Sequence, residues 1–239
     1  GNDMDIAKLS RRWTVLAKCY LTLGTLYFKA KRSTSEAETI KYINTAEKHL
    51  TRSLRIHESI ADMFFGNLKN SNDTGLSKAI QGHTYDTADI INNLGMLANS
   101  RGDKLEAIAK FEKALEIGKS IIEPSSSKSN YVVASALLHL GNHFLHTMQD
   151  LETAEQYLRD SFTAYNNAFD NEYHVDLADV CISLSTIEIK KNELVKAKRN
   201  LEQARNILMG YSDCFDPRLD TLHSLLHEAS SKLAKQFSS

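Results

Sequence analysis

Residues 88–114 read ADIINNLGMLANSRGDKLEAIAKFEKA, and this stretch decides the fold. Ala88 is followed six residues later by Leu94 and Gly95, and a second segment at 107–114 reads Ala-x-x-x-Phe-x-x-Ala. Small and large residues three and four apart lie on one face of a helix, and the Gly-Asp pair between the segments favours a turn. The stretch therefore predicts two antiparallel helices that pack closely as a hairpin.

The same signature occurs four times along the chain. The anchors of the first segments are Ala17 with Leu23 and Gly24, Ala88 with Leu94 and Gly95, Ala134 with Leu140 and Gly141, and Ala178 with Leu184 and Ser185. The anchors of the second segments are Ala46, Leu50 and Ser53; Ala107, Phe111 and Ala114; Ala154, Leu158 and Ser161; and Ala197, Leu201 and Ala204. Repetition of one helical unit is typical of a solenoid, in which each unit buries its apolar face against its neighbours.

The repeats predict an all-α solenoid of antiparallel helix pairs that forms a single array over residues 1–239. We expect about four units, at about 5–65, 84–123, 129–170 and 173–210, and a capping helix at 216–237. A loop insertion is expected at 66–83, because asparagine, serine, aspartate and glycine are concentrated there. The Asp-Pro pair at 216–217 is typical of a helix start.

Composition excludes several classes of partner. The chain has 29 basic and 30 acidic residues, so its net charge of −1 offers no electrostatic reason to expect nucleic acid. No apolar run approaches the roughly 20 residues that span a bilayer, so we expect no membrane insertion by this segment. The three cysteines have no metal-ligand spacing and favour a reducing compartment. The start at Gly1, without methionine, predicts a segment of a longer protein.

The unit at 88–123 resembles the tetratricopeptide repeat. The residues that carry the resemblance are Leu94, Gly95, Gly102, Ala107, Phe111 and Ala114. The leucine anchors recur after 46 and 44 residues, which exceeds the family's usual period of about 34 and resembles the long-helix variant of kinesin light chains. The resemblance implies a right-handed superhelix whose first helices line a concave groove, and a protein-binding adaptor without catalytic activity or cofactor.

If that geometry holds, the groove positions lie one, five, eight and twelve residues after each anchor alanine, on one helical face. They are Lys18, Thr22, Thr25 and Lys29; Asp89, Asn93, Met96 and Ser100; Ser135, His139, Asn142 and His146; and Asp179, Ser183, Thr186 and Lys190. Amide side chains such as Asn93 and Asn142 offer both donors and acceptors to a peptide backbone. We therefore expect a protein or peptide partner there; the alternative is that these residues only solvate an inner surface.

One ligand class of the family does not fit these residues. Some tetratricopeptide repeats bind a C-terminal carboxylate with lysine, asparagine and arginine side chains. The corresponding positions here are Leu21, Thr25, Asn93, Ser135 and His139, of which only Asn93 matches. Because a desolvated carboxylate needs cations beside it, we expect no carboxylate clamp.

A metal-dependent enzyme is the remote alternative. His139, His143 and His146 have the spacing of a helical metal site, and His223 and His227 repeat it. Neither set has the glutamate of a metalloprotease motif between its histidines, and the chain contains no phosphate-binding loop. We therefore predict no metal site and no enzyme.

Two functions of different classes remain. The first is an adaptor that binds a partner in the groove. The second is a structural subunit that docks by its edges into a larger complex, for example a substrate adaptor of mitochondrial quality control. Nothing in the motifs selects between them, because this repeat serves many unrelated partners.

Overall fold

A computed structural model describes residues 13–26, 35–68, 74–120, 127–169, 174–211, 216 and 218–238. All the described elements are helical. They are α1 (13–26), α2 (Glu36–Leu68), α3 (Thr74–Arg101), α4 (Lys104–Ser120), α5 (Ser127–His143), a π-helical turn (Phe144–Met148), α6 (Leu151–Ala168), α7 (Val175–Lys190), α8 (Leu194–Tyr211) and α9 (Arg218–Ser238). The prediction of an all-α helical solenoid fold is confirmed.

The chain divides into two compact units, residues 1–124 and 125–239. The first unit holds the hairpins α1–α2 and α3–α4, and the second holds α5–α6, α7–α8 and the final helix α9. In each hairpin the alanine anchors are fully buried at the helix contact, as at Ala17, Ala88, Ala134 and Ala178. The apolar face of each helix therefore packs on its hairpin partner, as the repeated signature predicts.

Three anchor glycines allow the two helices of a hairpin to approach closely. A Cβ atom placed on Gly95 would lie 2.6 Å from Cε1 of Phe111, and one on Gly141 would lie 2.6 Å from Cγ of Leu158. Gly24 lies equally close to Leu50, at 2.7 Å. These distances are far below ordinary carbon contacts of about 3.5–4.0 Å, so only glycine fits without movement of the neighbouring side chain.

Two of the hairpins each contain a buried hydrogen bond between their two helices. The Ser53 hydroxyl donates to the Ala17 carbonyl at 2.8 Å, and the Ser161 hydroxyl donates to the Ala134 carbonyl at 2.7 Å. Each bond links the last anchor of the second helix to the first anchor of the helix it packs on. Such a bond contributes about 1 kcal/mol, and the other hairpins have alanine at this position.

The turns of α3–α4, α5–α6 and α7–α8 each have a residue in the left-handed conformation. Gly102, Gln149 and Asn192 have φ angles of 85°, 56° and 61°. An acidic residue follows each of them and precedes the second helix; Asp150, for example, accepts a hydrogen bond from the Thr153 backbone N–H at 3.1 Å. This combination ends one helix and caps the next, which explains the sharp reversal.

The region expected to be a loop insertion is largely helical. α2 continues to Leu68 and α3 begins at Thr74, so helix covers 66–68 and 74–83, and only 69–73 lie outside the described residues. The polar composition suggested a loop, but propensity is a weak guide where neighbouring helices support the backbone. His83, in the additional helical part of α3, and Asp86, three residues later, both lie beside His57 of α2.

The final helix has the amphipathic character expected of a cap. Leu222 and Ala229 are buried against the rest of the second unit, whereas Asp220, His223 and His227 are exposed. The helix is observed at Arg218–Ser238 and was expected at 216–237. Asp216 accepts a hydrogen bond from the Arg218 backbone N–H at 2.9 Å and so caps the helix start.

Candidate partner-binding surface

In the second unit, a predicted groove residue of α5 contacts a predicted groove residue of α7. The Ser183 hydroxyl donates to Oδ1 of Asn142 at 2.7 Å. A second hydrogen bond joins the same two helices: the Tyr131 hydroxyl on α5 donates to Oδ2 of Asp176 on α7 at 3.1 Å. The first helices of consecutive repeats are therefore joined through polar side chains. We use the name polar face for the eight groove positions predicted in this unit, which are Ser135, His139, Asn142, His146, Asp179, Ser183, Thr186 and Lys190.

An ion pair extends the polar face to α9. Arg218 contacts Oδ2 of Asp179 at 3.0 Å and also pairs with Asp216 beside it. Burial raises the pKa of the Asp179 carboxyl to about 6, although the Arg218 guanidinium opposes that rise. The carboxyl remains ionised at neutral pH, so the pair fixes the start of α9 against α7.

Two histidines lie on the polar face, and the pKa of each is lowered. Burial lowers the pKa of His139 from 6.5 to about 4, so this imidazole is neutral at pH 7. The His146 side chain is exposed to solvent. Its pKa is lowered mainly by partial desolvation of the ring and to a smaller extent by the Lys190 ammonium. Ser135 bonds to Tyr165, and the Thr186 hydroxyl donates to the Ile182 carbonyl. Neutral donors and acceptors therefore dominate this surface, with Lys190 exposed at one end.

In the first unit, several predicted groove side chains bond to their own helix. The Asn93 amide donates to the Asp89 carbonyl at 2.9 Å, and Thr22 and Thr25 donate to carbonyls one turn before them. Ser100 does the same to Met96. Lys18 is exposed, Asp89 and Met96 are partly buried, and Lys29 lies outside the described residues. A peptide partner would have to compete with these local bonds at Asn93, but not for the amide nitrogen of Asn142.

The sequence did not predict a cluster of two histidines and one aspartate in the first unit. His57 on α2 and His83 on α3 place their Nδ1 atoms 2.9 Å apart, and Nδ1 of His57 lies 3.8 Å from Oδ2 of Asp86. His57 is fully buried and His83 nearly so. Burial lowers the pKa of His57 to about 4, with Asp86 opposing that shift. The one signal in the sequence was a histidine, His57, on the buried stripe of α2.

The histidine run on α5 does not form a metal cluster. Among the described residues, the only group of three or more ligand atoms within 4.8 Å of one another is His57, His83 and Asp86. His143 is buried whereas His146 is exposed, so the helix directs the two rings into different surroundings. None of the described helices is long and apolar enough to cross a membrane.

Comparison with known proteins identifies the repeat. Residues 87–126 match the family model for the tetratricopeptide repeat. The crystal structure of BtubC (BKLC) from P. vanneervenii is similar in fold, with a TM-score of 0.52 and 15% sequence identity, over 92% of this chain and 89% of that chain. No curated protein matches the sequence. The matched range is the hairpin α3–α4, whose anchors carry the signature seen in all four repeats. Residues 87–126 therefore match a tetratricopeptide repeat, and the fold of the chain is similar to that of BtubC.

Proposed function

We propose that the chain is a non-catalytic adaptor that binds an extended segment of a partner protein on the polar face of its second unit. The observation that carries this proposal is the hydrogen bond between Asn142 and Ser183. This bond joins one residue predicted for the groove on each of two repeats, which supports a shared binding surface. A partner laid across α5 and α7 would find amide, hydroxyl and imidazole groups there, together with the exposed Lys190.

The chemistry of this surface favours an uncharged or weakly acidic segment. His139 is neutral at physiological pH, Arg218 is shared by Asp179 and Asp216, and Lys190 is an exposed cation at the other end of α7. An acidic side chain on the partner would pair with Lys190, whereas the backbone would bond to Asn142. Recognition would therefore depend on main-chain hydrogen bonds more than on charge, and its affinity would fall little with added salt.

A substitution experiment tests the proposal. Asn93→Ala combined with Asn142→Ala removes the amide predicted for the groove of each unit, and Gln156→Ala combined with Asp160→Ala is the control pair on the exposed side of α6. Affinity purification from the source cell, quantified by mass spectrometry, should show partners that are lost with the first pair and kept with the second. Helical content and the melting curve must stay comparable in both. Unchanged partners in the Asn93 and Asn142 variant would show that the proposed surface is wrong.

A structural subunit that docks by its edges is the second candidate. The observation in its favour is two large apolar residues at the second position of a second helix, Leu105 on α4 and Val195 on α8, which are 85% and 70% exposed. Both side chains would be available to a docking partner at the start of a second helix. Leu105→Ser and Val195→Ser should then remove partners that the Asn93 and Asn142 variant retains.

A further inference from the structure

The described part of the first unit contains three metal-ligand atoms in one place. Two imidazole nitrogens and one carboxylate oxygen, from His57, His83 and Asp86, all lie within 4.8 Å of one another. Two different helices supply them: His57 comes from α2, whereas His83 and Asp86 are three residues apart on α3 and share a face. Two histidines and a carboxylate are a ligand set that zinc and other divalent transition metals take.

The distances fit coordination after a small adjustment. With bonds of about 2.0–2.1 Å to zinc, the ligand atoms of a tetrahedral site lie about 3.3 Å apart. The two measured separations, 2.9 Å between the Nδ1 atoms and 3.8 Å from Nδ1 of His57 to Oδ2 of Asp86, lie on either side of that value. Movements of about half an ångström would equalise them, which is within the range of rotation of partly exposed Asp86.

The cluster is buried at His57 and open to solvent at Asp86. His57 is 0% exposed, and its Nδ1, the atom that would bind the ion, faces Nδ1 of His83 and Oδ2 of Asp86. The Asp86 side chain is 34% exposed, so an ion can enter from that side and keep a water molecule as its fourth ligand.

We propose that His57, His83 and Asp86 bind one divalent transition-metal ion, with Zn²⁺ as the ion that their chemistry fits. The ion would join α2 of the first hairpin to α3 of the second and so stabilise the first unit. One nearby charge opposes binding: the Lys18 ammonium on α1 acts on both imidazoles. Because Lys18 is exposed, its flexible side chain can turn toward solvent when the ion enters. This proposal does not depend on the proposed adaptor function.

Metal titration of the full chain, purified without a histidine tag and stripped with a chelator, tests the site. We expect one Zn²⁺ per chain by calorimetry, a higher melting temperature with Zn²⁺, and visible absorption bands of Co²⁺ in a nitrogen and oxygen site when Co²⁺ replaces it. Absence of saturable binding would leave His57 and His83 as a hydrogen-bonded pair and overturn the proposal.

Matched variants assign the ligands. Asp86→Asn keeps the shape of the side chain and should weaken Zn²⁺ binding at least about tenfold, and His83→Gln should do the same. His223→Gln with His227→Gln removes the exposed histidine pair of α9 and should leave binding unchanged. Lys18→Gln should tighten binding, because it removes the opposing charge. Circular dichroism of the metal-free variants checks folding. If Asp86→Asn binds like the unaltered chain, or if the His223 and His227 variant loses the ion, the assignment is wrong.

Discussion

Substitution of Gly141 by alanine tests the packing of the hairpin α5–α6 at its tightest point. The new Cβ would lie 2.6 Å from Cγ and 2.9 Å from Cδ2 of Leu158, about 1 Å inside ordinary contact, and the Ala154 carbonyl oxygen would be 3.3 Å away. Leu158 is fully buried, so it cannot move aside freely. Overpacking of this kind costs about 1–3 kcal/mol, and the better helix propensity of alanine offsets about 1 kcal/mol of that.

The expected result is a net loss of about 0–2 kcal/mol in the free energy of unfolding. The matched control is Gly210→Ala on α8, where the structure shows no atom within 4 Å of the new Cβ. There only the propensity acts, and stability should rise by about 0.5–1 kcal/mol. Urea unfolding followed by far-ultraviolet circular dichroism measures both changes.

A double-mutant cycle isolates the contact. Leu158→Ala alone should cost about 2–5 kcal/mol. In its presence Gly141→Ala should destabilise much less, because the Leu158 atoms are gone and only the Ala154 carbonyl oxygen, at 3.3 Å, remains close to the new Cβ. A Gly141→Ala variant as stable as Gly210→Ala would refute the close approach of α5 and α6 at this glycine.

Three further predictions concern single side chains. Gln149→Gly should stabilise the chain by about 1 kcal/mol, since its φ of 56° is left-handed, and thermal unfolding against Gln156→Gly as a helical control checks this. Ser161→Ala should lose about 1 kcal/mol by urea unfolding because its bond to the Ala134 carbonyl disappears; no loss would show that the bond adds nothing. Burial lowers the pKa of His139 from 6.5 to about 4 in the folded state. Between these two values the unfolded state binds a proton that the folded state does not, so the free energy of unfolding falls as the pH drops from about 6.5 to 4. His139→Gln should reduce that slope by up to about 1.4 kcal/mol per pH unit, and an unaltered slope would contradict the burial of the ring.

The hairpins could be predicted because their signature is local. The glycine at 95 and the large Phe111 are separated by one turn region, and a fixed spacing in both helices is enough to pair them. The predicted turn at Gly102 is likewise present, with a φ of 85° that glycine adopts readily. A pattern that repeats four times also leaves little freedom in how neighbouring helices pack.

Other features depend on choices that spacing does not encode. The polar residues at 66–83 suggested a loop, yet α2 and α3 extend into that range. The Asn93 amide, predicted for the groove, donates to the Asp89 carbonyl, and spacing does not encode this choice of rotamer. The contact of His57 with His83 joins residues 26 positions apart on two helices, so no short sequence motif could predict it.

The central claim is that the polar face of the second unit binds the partner, and site-specific photo-crosslinking tests it most directly. A photoreactive amino acid is placed in turn at His146 and Lys190 on that face, and at Asp160 and Lys198 on the exposed sides of α6 and α8. In the source cell, mass spectrometry should find the same protein crosslinked from positions 146 and 190 and not from 160 or 198. Crosslinks from 160 or 198 alone would contradict the account.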